Sequence, residues 1–283
     1  MNGLLLIDKP QDFTSQDVVS KVKKILNVKK AGHIGTLDPM ATGLLPILIG
    51  DYTKISKYLI EHDKTYIAKL KLGIKTDTGD ITGKILEKQD VSKISNIEEI
   101  INSFKGVQKQ TPPMYSAIKI DGKKLYEYAR EGKEVEVPER KIEIYDIKLL
   151  KANDGEIEFM VSCSKGTYIR VLCEDIARAL GTIGTMSSLR RIVVDKFSID
   201  DAYTFEKLEN SKDNKSILIK MEDIFNDIDE INLNAKKLEL FLNGVKLSVE
   251  LEDGLYNIYS DNKYIGLGIV KNKLLKRDVV IGE

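Results

Sequence analysis

A carboxylate displayed on a glycine-rich loop is the most chemically suggestive feature of this chain. Asp38 lies within GHIGTLDPMATGLLP, residues 32–46. The following Pro39 disfavours helical backbone at Asp38 and favours an extended, presented pose. Gly32, Gly35 and Gly43 permit turns or close approaches that a side chain would block, and the apolar run Leu44 to Ile49 reads as a rigid support behind the loop. No other acid lies between Asp17 and Asp51, so Asp38 has no carboxylate neighbour along the chain. A carboxylate so placed can act as a nucleophile or abstract a proton. An isolated Asp-Pro is an ordinary turn; the length of the surrounding pattern is what singles this one out.

Other chemistries find little material. Cys163 and Cys173 make neither a disulfide framework nor a spaced metal site, and His33 and His62 complete no common zinc spacing with them. No metal and no cofactor are expected. Cys163 falls on the apolar face of an alternating strand, and Cys173 sits in a helix with no evident base; neither reads as a nucleophile.

The elements that must carry Asp38 are legible from periodicity. Leu4 to Asp8 reads as a buried strand, followed by a helix capped by Thr14 with Asp17 three residues on, and with Val18, Val19, Val22, Ile25 and Leu26 at helical spacing. Lys64 to Ile74 alternates Ala68, Leu70 and Leu72 against Lys69 and Lys71, a half-buried strand. Thr76 to Gly83 is a turn cluster. Ser95 to Phe104 is expected as a helix with a Ser95/Glu98 capping box and Gly106 as its stop. Ile157, Phe159, Val161 and Cys163 line one face of a strand, and Tyr168 to Leu180 is helical up to Gly181. Residues 109–138, opening near Pro112-Pro113 and closing at Pro138, look like an insertion. A boundary is expected near 209–232; beyond it, a helix over 234–243 and strand-like pieces around 254–260, 263–270 and 274–281 suggest a compact β module.

At 283 residues the chain can hold one large domain and a small one. No apolar run approaches the length of a membrane span, so no membrane partner and a cytoplasmic location are expected. Net charge is zero, but residues 1–199 hold 27 acids against 32 bases. Within 105–124, Lys105, Lys109, Lys119, Lys123 and Lys124 face only Asp121. Local positive charge, rather than global balance, attracts phosphates.

GHIGTLDPMATGLLP closely resembles the catalytic motif of the tRNA pseudouridine synthase B family, which modifies uridine 55 in the T-arm loop. LLLIDKP at 4–10 resembles that family's opening motif, and Lys64-Thr65-Tyr66 the segment that places an aromatic residue beside the target base. QTPPMYSAIKIDGKKLYEYAREG at 110–132 is similar to its RNA-embracing thumb insertion. SKGTYIRVLCEDIARALG at 164–181 is similar to the segment whose arginine partners the aspartate, and Leu189-Arg190-Arg191 to a pocket-lining segment. These motifs occur in the family's order over residues 3–200, with a weaker likeness to the end.

The resemblance implies a mixed α/β (α+β) fold with a mainly antiparallel sheet and flanking helices, where periodicity alone supports only mixed α and β. It implies a catalytic domain over 1–230, with the thumb at about 109–138, and a PUA-like RNA-binding module over 231–283. It also implies isomerisation of uridine to pseudouridine in tRNA by a monomer, with Asp38, Tyr66 and Arg170 as catalytic residues. Arg170 facing Asp38 would favour the ionised carboxylate and orient it through paired hydrogen bonds. Tyr66 would stack on the extruded uracil, its hydroxyl available for proton transfer at C5. His33 would occupy space left by flipped nucleotides, Tyr168 would pack beneath the base or hold Arg170, and Leu189 would wall the pocket. Lys9 would support the active-site loop or a phosphate. Three alternatives stay open on the sequence: a non-catalytic tRNA-binding or tRNA-folding protein, a glycosylase that releases base, and a pseudouridine synthase for another RNA.

Overall fold

The computed structural model describes residues 1–60, 62–91, 94–116, 118–133, 135–153, 155–211, 213 and 215–281. Its centre is a nine-stranded sheet running, edge to edge, Gly3–Lys9, Thr42–Ile49, Gly184–Val194, Lys64–Leu72, Glu156–Cys163, Arg140–Asn153 and Gly106–Gln110; Ala31–His33 and Phe197–Ser198 are attached beside this path. Among the described residues its pairings are antiparallel, save where Arg190 and Arg191 lie parallel to Thr42 and Gly43. The expected mixed, mainly antiparallel sheet is what the chain forms.

Burial explains which strands read clearly. Lys64–Leu72 and Glu156–Cys163 pair side by side and alternate strictly, burying Tyr66, Ala68, Leu70 and Leu72 on one and Ile157, Phe159, Val161 and Cys163 on the other. Gly3–Lys9 is buried almost throughout because both faces are covered. Leu5 and Ile7 pack with Val18, Val19 and Val22 of the Ser15–Ile25 helix, while Leu4 and Leu6 meet a second cluster with Leu44 and Leu48. The Ser15–Ile25 helix starts at Thr14, whose hydroxyl accepts from the Asp17 amide while the Asp17 carboxylate accepts from the Thr14 amide, the reciprocal cap expected.

The Ile169–Ala179 helix packs Leu172, Cys173, Ile176 and Ala177 into the cluster that holds Phe159 and Met186. Gly184 sets how closely it can approach the sheet, since a Cβ there would lie 2.7 Å from both Ala177 Cβ and Leu70 Cδ1.

One helix start departs from expectation. The helix runs Ile97–Ser103 with Asn96 as its N-cap at φ 59°, and no side chain caps it. Asn tolerates left-handed backbone where most residues do not, so the chain enters the helix one residue later than a Ser95/Glu98 box requires. Gly106, at φ +112°, opens the next strand.

The insertion leaves the sheet at Gln110 and returns at Arg140, which pair directly. It contains a small hairpin, Lys119–Ile120 with Lys123–Lys124, and the Leu125–Arg130 helix, which buries Leu125; positions 117 and 134 lie outside the described residues. Its positive charge is more committed than the sequence count implied. Lys109 pairs with Glu139 at 3.5 Å, Lys105 with Asp146 at 3.1 Å, and both Lys123 and Lys133 with Glu131. The Tyr126 ring lies 5.3 Å from both Lys124 Nζ and the Arg130 guanidinium, and the Tyr128 hydroxyl donates to Ile120 O at 3.4 Å. These two tyrosines pack the insertion on itself.

A five-stranded sheet follows in the order Glu230–Asn232, Gly254–Ser260, Lys263–Lys271, Leu274–Val280 and Leu247–Ser248, with the Ala235–Leu242 helix capped by the Asn234 side chain. It has its own core around Phe241, Ile258 and Leu275. Leu267 and Val279, however, join Leu4, Leu6, Leu44 and Leu48 in one cluster with Met221 and Phe225. Asp278 accepts from Lys57 Nζ at 2.6 Å and from the Tyr58 hydroxyl at 2.7 Å, and Asn257 donates to Phe225 O at 2.7 Å. No helix among the described residues is long and apolar enough to cross a membrane.

Candidate active site

Asp38 stands on a loop that is fixed at nearly every residue. The Ser15 hydroxyl accepts from the Leu37 amide at 2.9 Å and lies 3.1 Å from Leu37 O, so the first residue of the Ser15–Ile25 helix clamps the backbone just before Asp38. Pro39 O accepts from the Asp12 amide at 2.9 Å and from Lys9 Nζ at 3.1 Å. The Ala41 amide donates to Asp38 O at 3.0 Å, closing the turn that leads into the Thr42–Ile49 strand.

Lys9 is wholly buried and also donates to Phe13 O at 2.6 Å and Pro10 O at 3.0 Å. Its bond to Pro39 O is a contact of the loop-supporting kind, the first of the two roles expected for it. Burial pushes its ammonium pKa down to about 8, against upward pulls from Asp12 and Asp38.

Beneath the loop lies Arg191, 1% exposed. Its Nε donates to Leu44 O at 2.8 Å and an Nη to Gly35 O at 2.9 Å, and its charge acts on the Tyr66 phenol. Such a charge survives burial only because its donors are met. Two of the loop glycines exist for this residue. A Cβ on Gly43 (φ +103°) would sit 2.2 Å from Arg191 O, and one on Gly35 (φ +75°) 3.3 Å from Arg191 Nη1. Arg190, beside it, forks onto Asp8 at 2.8 and 3.0 Å.

Arg170 comes from the first turn of the Ile169–Ala179 helix and faces Asp38, its Nε 3.2 Å from Oδ2. The paired hydrogen bonds expected between them are not what forms. Nη1 donates to Thr78 O at 3.0 Å and Nη2 to Tyr115 O at 2.8 Å, and the contact with Asp38 is made by Nε.

A second carboxylate stands behind the guanidinium. Asp80, 5% exposed, has Oδ2 3.9 Å from Arg170 Nη1 and Oδ1 accepting from the Thr82 hydroxyl (2.6 Å), the Thr82 amide (3.0 Å) and the Thr78 hydroxyl (3.1 Å). Arg170 therefore lies between two acids.

The Asp38 carboxyl is raised above its ordinary pKa. Burial is the largest cause, Arg170 opposes it, Asp80 adds to it, and Lys9 opposes it more weakly. The Asp38 side chain nevertheless keeps 38% of its surface exposed, so it is partly shielded and still approachable.

The remaining expected residues lie on the strands and the helix cap of the same sheet layer. Tyr66 and Leu189 are buried in the same cluster as Leu37 and Met40, and burial raises the Tyr66 phenol against the pull of Arg191. His33 is partly buried opposite Ile47 on the adjoining short strand. Its Nδ1 is buried without a hydrogen-bond partner among the described residues, and burial together with Arg191 lowers its pKa, which favours the neutral ring. Tyr168 is the N-cap of the helix that carries Arg170. Burial raises the thiols, Cys163 to about 11 and Cys173 further, so neither offers a thiolate near neutrality. Among the described residues no three His, Cys, Asp or Glu side chains come together as metal ligands.

Asp80 and the two arginine-to-carbonyl contacts escaped sequence reasoning. The signal for Asp80 was present as an acid between two threonines in TDTGDITG, residues 76–83, which reads as an ordinary turn until Arg170 is seen against it.

Residues 23–169 match the model of the TruB family pseudouridylate synthase N-terminal domain, and residues 170–231 that of the tRNA pseudouridylate synthase B C-terminal domain. A tRNA pseudouridine synthase B of Clostridium tetani is 47% identical over 277 residues, 95% of each chain. Its counterpart from Aquifex aeolicus is 41% identical over 280 residues, 97% of this chain and 98% of that one. In fold, the chain is similar to one in a structure of an H/ACA RNP bound to a substrate RNA containing 2'-deoxyuridine. That match has a TM-score of 0.72 and 23% identity, over 99% of this chain and 85% of the other.

Proposed function

Because this chain belongs to the TruB family of pseudouridylate synthases, and is thus an isomerase of tRNA uridine, we propose that Asp38 is its catalytic carboxylate and uridine 55 of the T-arm loop its target. The observation that carries this reading is the Asp38–Arg170 contact at 3.2 Å on a loop held rigid from both sides. The reaction breaks the N1–C1′ bond, turns the uracil within the site and joins C5 to C1′; N1 gains a proton and C5 loses one. Asp38 serves as nucleophile towards sugar or base, or as the base that removes a proton. Each role needs the ionised form. Burial opposes that form, and Arg170 opposes burial.

Tyr66 supplies a face for the uracil once the nucleotide is turned out of the loop, at a cost of a few kcal/mol. Burial keeps its phenol protonated, which favours the stacking role over a phenolate base. Leu189 walls the pocket, His33 fills space vacated by flipped nucleotides as a neutral ring, and Tyr168 holds the turn bearing Arg170. The insertion at 109–138 grips the hairpin, and residues 231–283 act as a PUA-like RNA-binding module beside a catalytic unit of 1–230. The protein works as a monomer in the cytoplasm.

The test is incubation of purified protein with an unmodified T-arm hairpin, followed by mapping of pseudouridine. Pseudouridine at the position equivalent to 55, with RNA mass unchanged, is expected. Loss of base mass would indicate a glycosylase, binding without conversion a tRNA-folding protein, and conversion confined to another RNA a different substrate.

A further inference from the structure

Gln110 is a buried amide, 5% exposed, whose two polar atoms are spent on one residue. Its Oε1 accepts from the Tyr168 amide at 2.8 Å, and its Nε2 donates to Tyr168 O at 3.1 Å. Tyr168 is the N-cap of the Ile169–Ala179 helix and makes no side-chain cap of its own. In a capping box the N-cap amide is met by a Glu or Gln three residues on; here that position is Val171, which has no acceptor. Gln110 fills the role from 58 residues away.

Its position in the sheet gives the contact further meaning. Gln110 ends the Gly106–Gln110 strand and pairs with Arg140, so it marks the point where the insertion leaves and returns. Five residues further on, Tyr115 O accepts from Arg170 Nη2 at 2.8 Å. The segment from 110 to 115 therefore touches the first turn of the helix twice, once at the cap backbone and once at the guanidinium that faces Asp38.

We infer that Gln110 is a positioning residue for the isomerisation: by clasping the Tyr168 backbone it sets where Arg170 Nε stands relative to Asp38. The inference rests on Asp38 and Arg170 being the reactive pair. Misplacing a catalytic group by about 1 Å can cost on the order of 10²-fold in rate, and nothing in the contact requires Gln110 to touch RNA.

Gln110→Leu has similar bulk and makes neither bond; Gln110→Glu keeps the acceptor and, while ionised, lacks the donor. Under single-turnover conditions with saturating enzyme, Gln110→Leu is expected to lower the rate constant by on the order of 10²-fold. Affinity for the hairpin should stay within about twofold, because both polar atoms of Gln110 are spent on the Tyr168 backbone and none is left to meet RNA. The acid limb of its rate profile should move to higher pH. The groups facing Asp38 are Arg170, Asp80 and Lys9, and a displaced Arg170 leaves the other two in place. Gln110→Glu should fall between Gln110→Leu and the unaltered protein, and its rate relative to the latter should climb as pH drops, because a protonated carboxyl restores the donor.

An unchanged rate constant in Gln110→Leu would overturn the inference. So would parallel losses of rate, hairpin affinity and melting temperature with an unmoved acid limb, which would mark Gln110 as a folding residue only. Asp38→Asn run alongside separates the two claims. Turnover by that variant would remove the Asp38 reading and this inference with it, whereas an inert Asp38→Asn beside a fully active Gln110→Leu would remove this inference alone.

Discussion

Arg170 meets Asp38 through one nitrogen, Nε at 3.2 Å from Oδ2, while its two terminal nitrogens are held by the carbonyls of Thr78 and Tyr115. Three separate segments thus converge on one guanidinium. A lysine ammonium keeps the charge but not the planar fork, so it cannot satisfy all three at once. Arg170→Lys should bind the hairpin normally and convert it about 10²-fold more slowly, the scale of a misplaced catalytic group. Single-turnover conversion within twofold of the unaltered protein would refute the arrangement.

Asp38 titrates above its ordinary value, with burial the leading cause and Asp80 a contributor. The active form is the carboxylate, so the rate should fall as pH drops through that raised pKa, at a limb lying above the ordinary 3.8. Asp80→Asn removes one negative neighbour and should move the limb to lower pH. It should also reduce the plateau rate, since Arg170 loses an electrostatic anchor. A pH–rate profile for both proteins decides the matter; coincident acid limbs would show that Asp80 does not act on Asp38.

Asp38→Asn should abolish conversion and leave hairpin affinity within a few-fold, because only the reactive group changes. Its effect on stability follows from the same pKa direction. A carboxyl raised in the folded state binds more protons there than when unfolded, so folding loses stability as pH rises from 3.8 through the raised value. The neutral amide does not titrate and escapes that loss. Asp38→Asn should therefore melt no lower than the unaltered protein at pH 7.5. A markedly lower melting temperature would mean that Asp38 is held for folding as well as for chemistry.

The lysines of the insertion should not contribute equally to RNA binding. Lys123 is paired with Glu131 and lies 4.7 Å from the centre of the Tyr128 ring, whereas Lys119 has no ion-pair partner among the described residues. Lys119→Ala should lower the slope of log affinity against log salt by about 1, as expected for one lost phosphate contact. Lys123→Ala should change it less. Fluorescence titrations of the hairpin at several salt concentrations would expose the reverse order, which would mean that RNA displaces Glu131 from Lys123.

Much of the architecture could be read locally, because it depends on short-range periodicity. Ile157, Phe159, Val161 and Cys163 announce their strand at a spacing of two, and Asn234 with Gly244 brackets the helix between them. The Asp38 loop was legible through its length of pattern. What escaped was whatever depends on residues far apart in the chain. The Asp80–Arg170 approach spans 90 positions and the Gln110–Tyr168 clasp 58, and neither leaves a periodic trace. The basicity of residues 105–124 looked unopposed only because its partners Glu131, Glu139 and Asp146 lie outside that window. The Ile97–Ser103 helix starts one residue later than its capping pattern suggests because Asn96 adopts left-handed backbone, which a Ser95/Glu98 spacing does not reveal.

Leu267 and Val279 of the last sheet share one cluster with Leu4, Leu6, Leu44 and Leu48, on the first strand and on the strand that follows the Asp38 loop. The tail thus shares an apolar core with the strand into which the Asp38 loop runs. Cutting the chain near residue 230 would strip grease from the back of the first strand and expose it to water. Nature could not exchange this appendage as a cassette without recasting the oily seam it shares with the enzyme's opening strand.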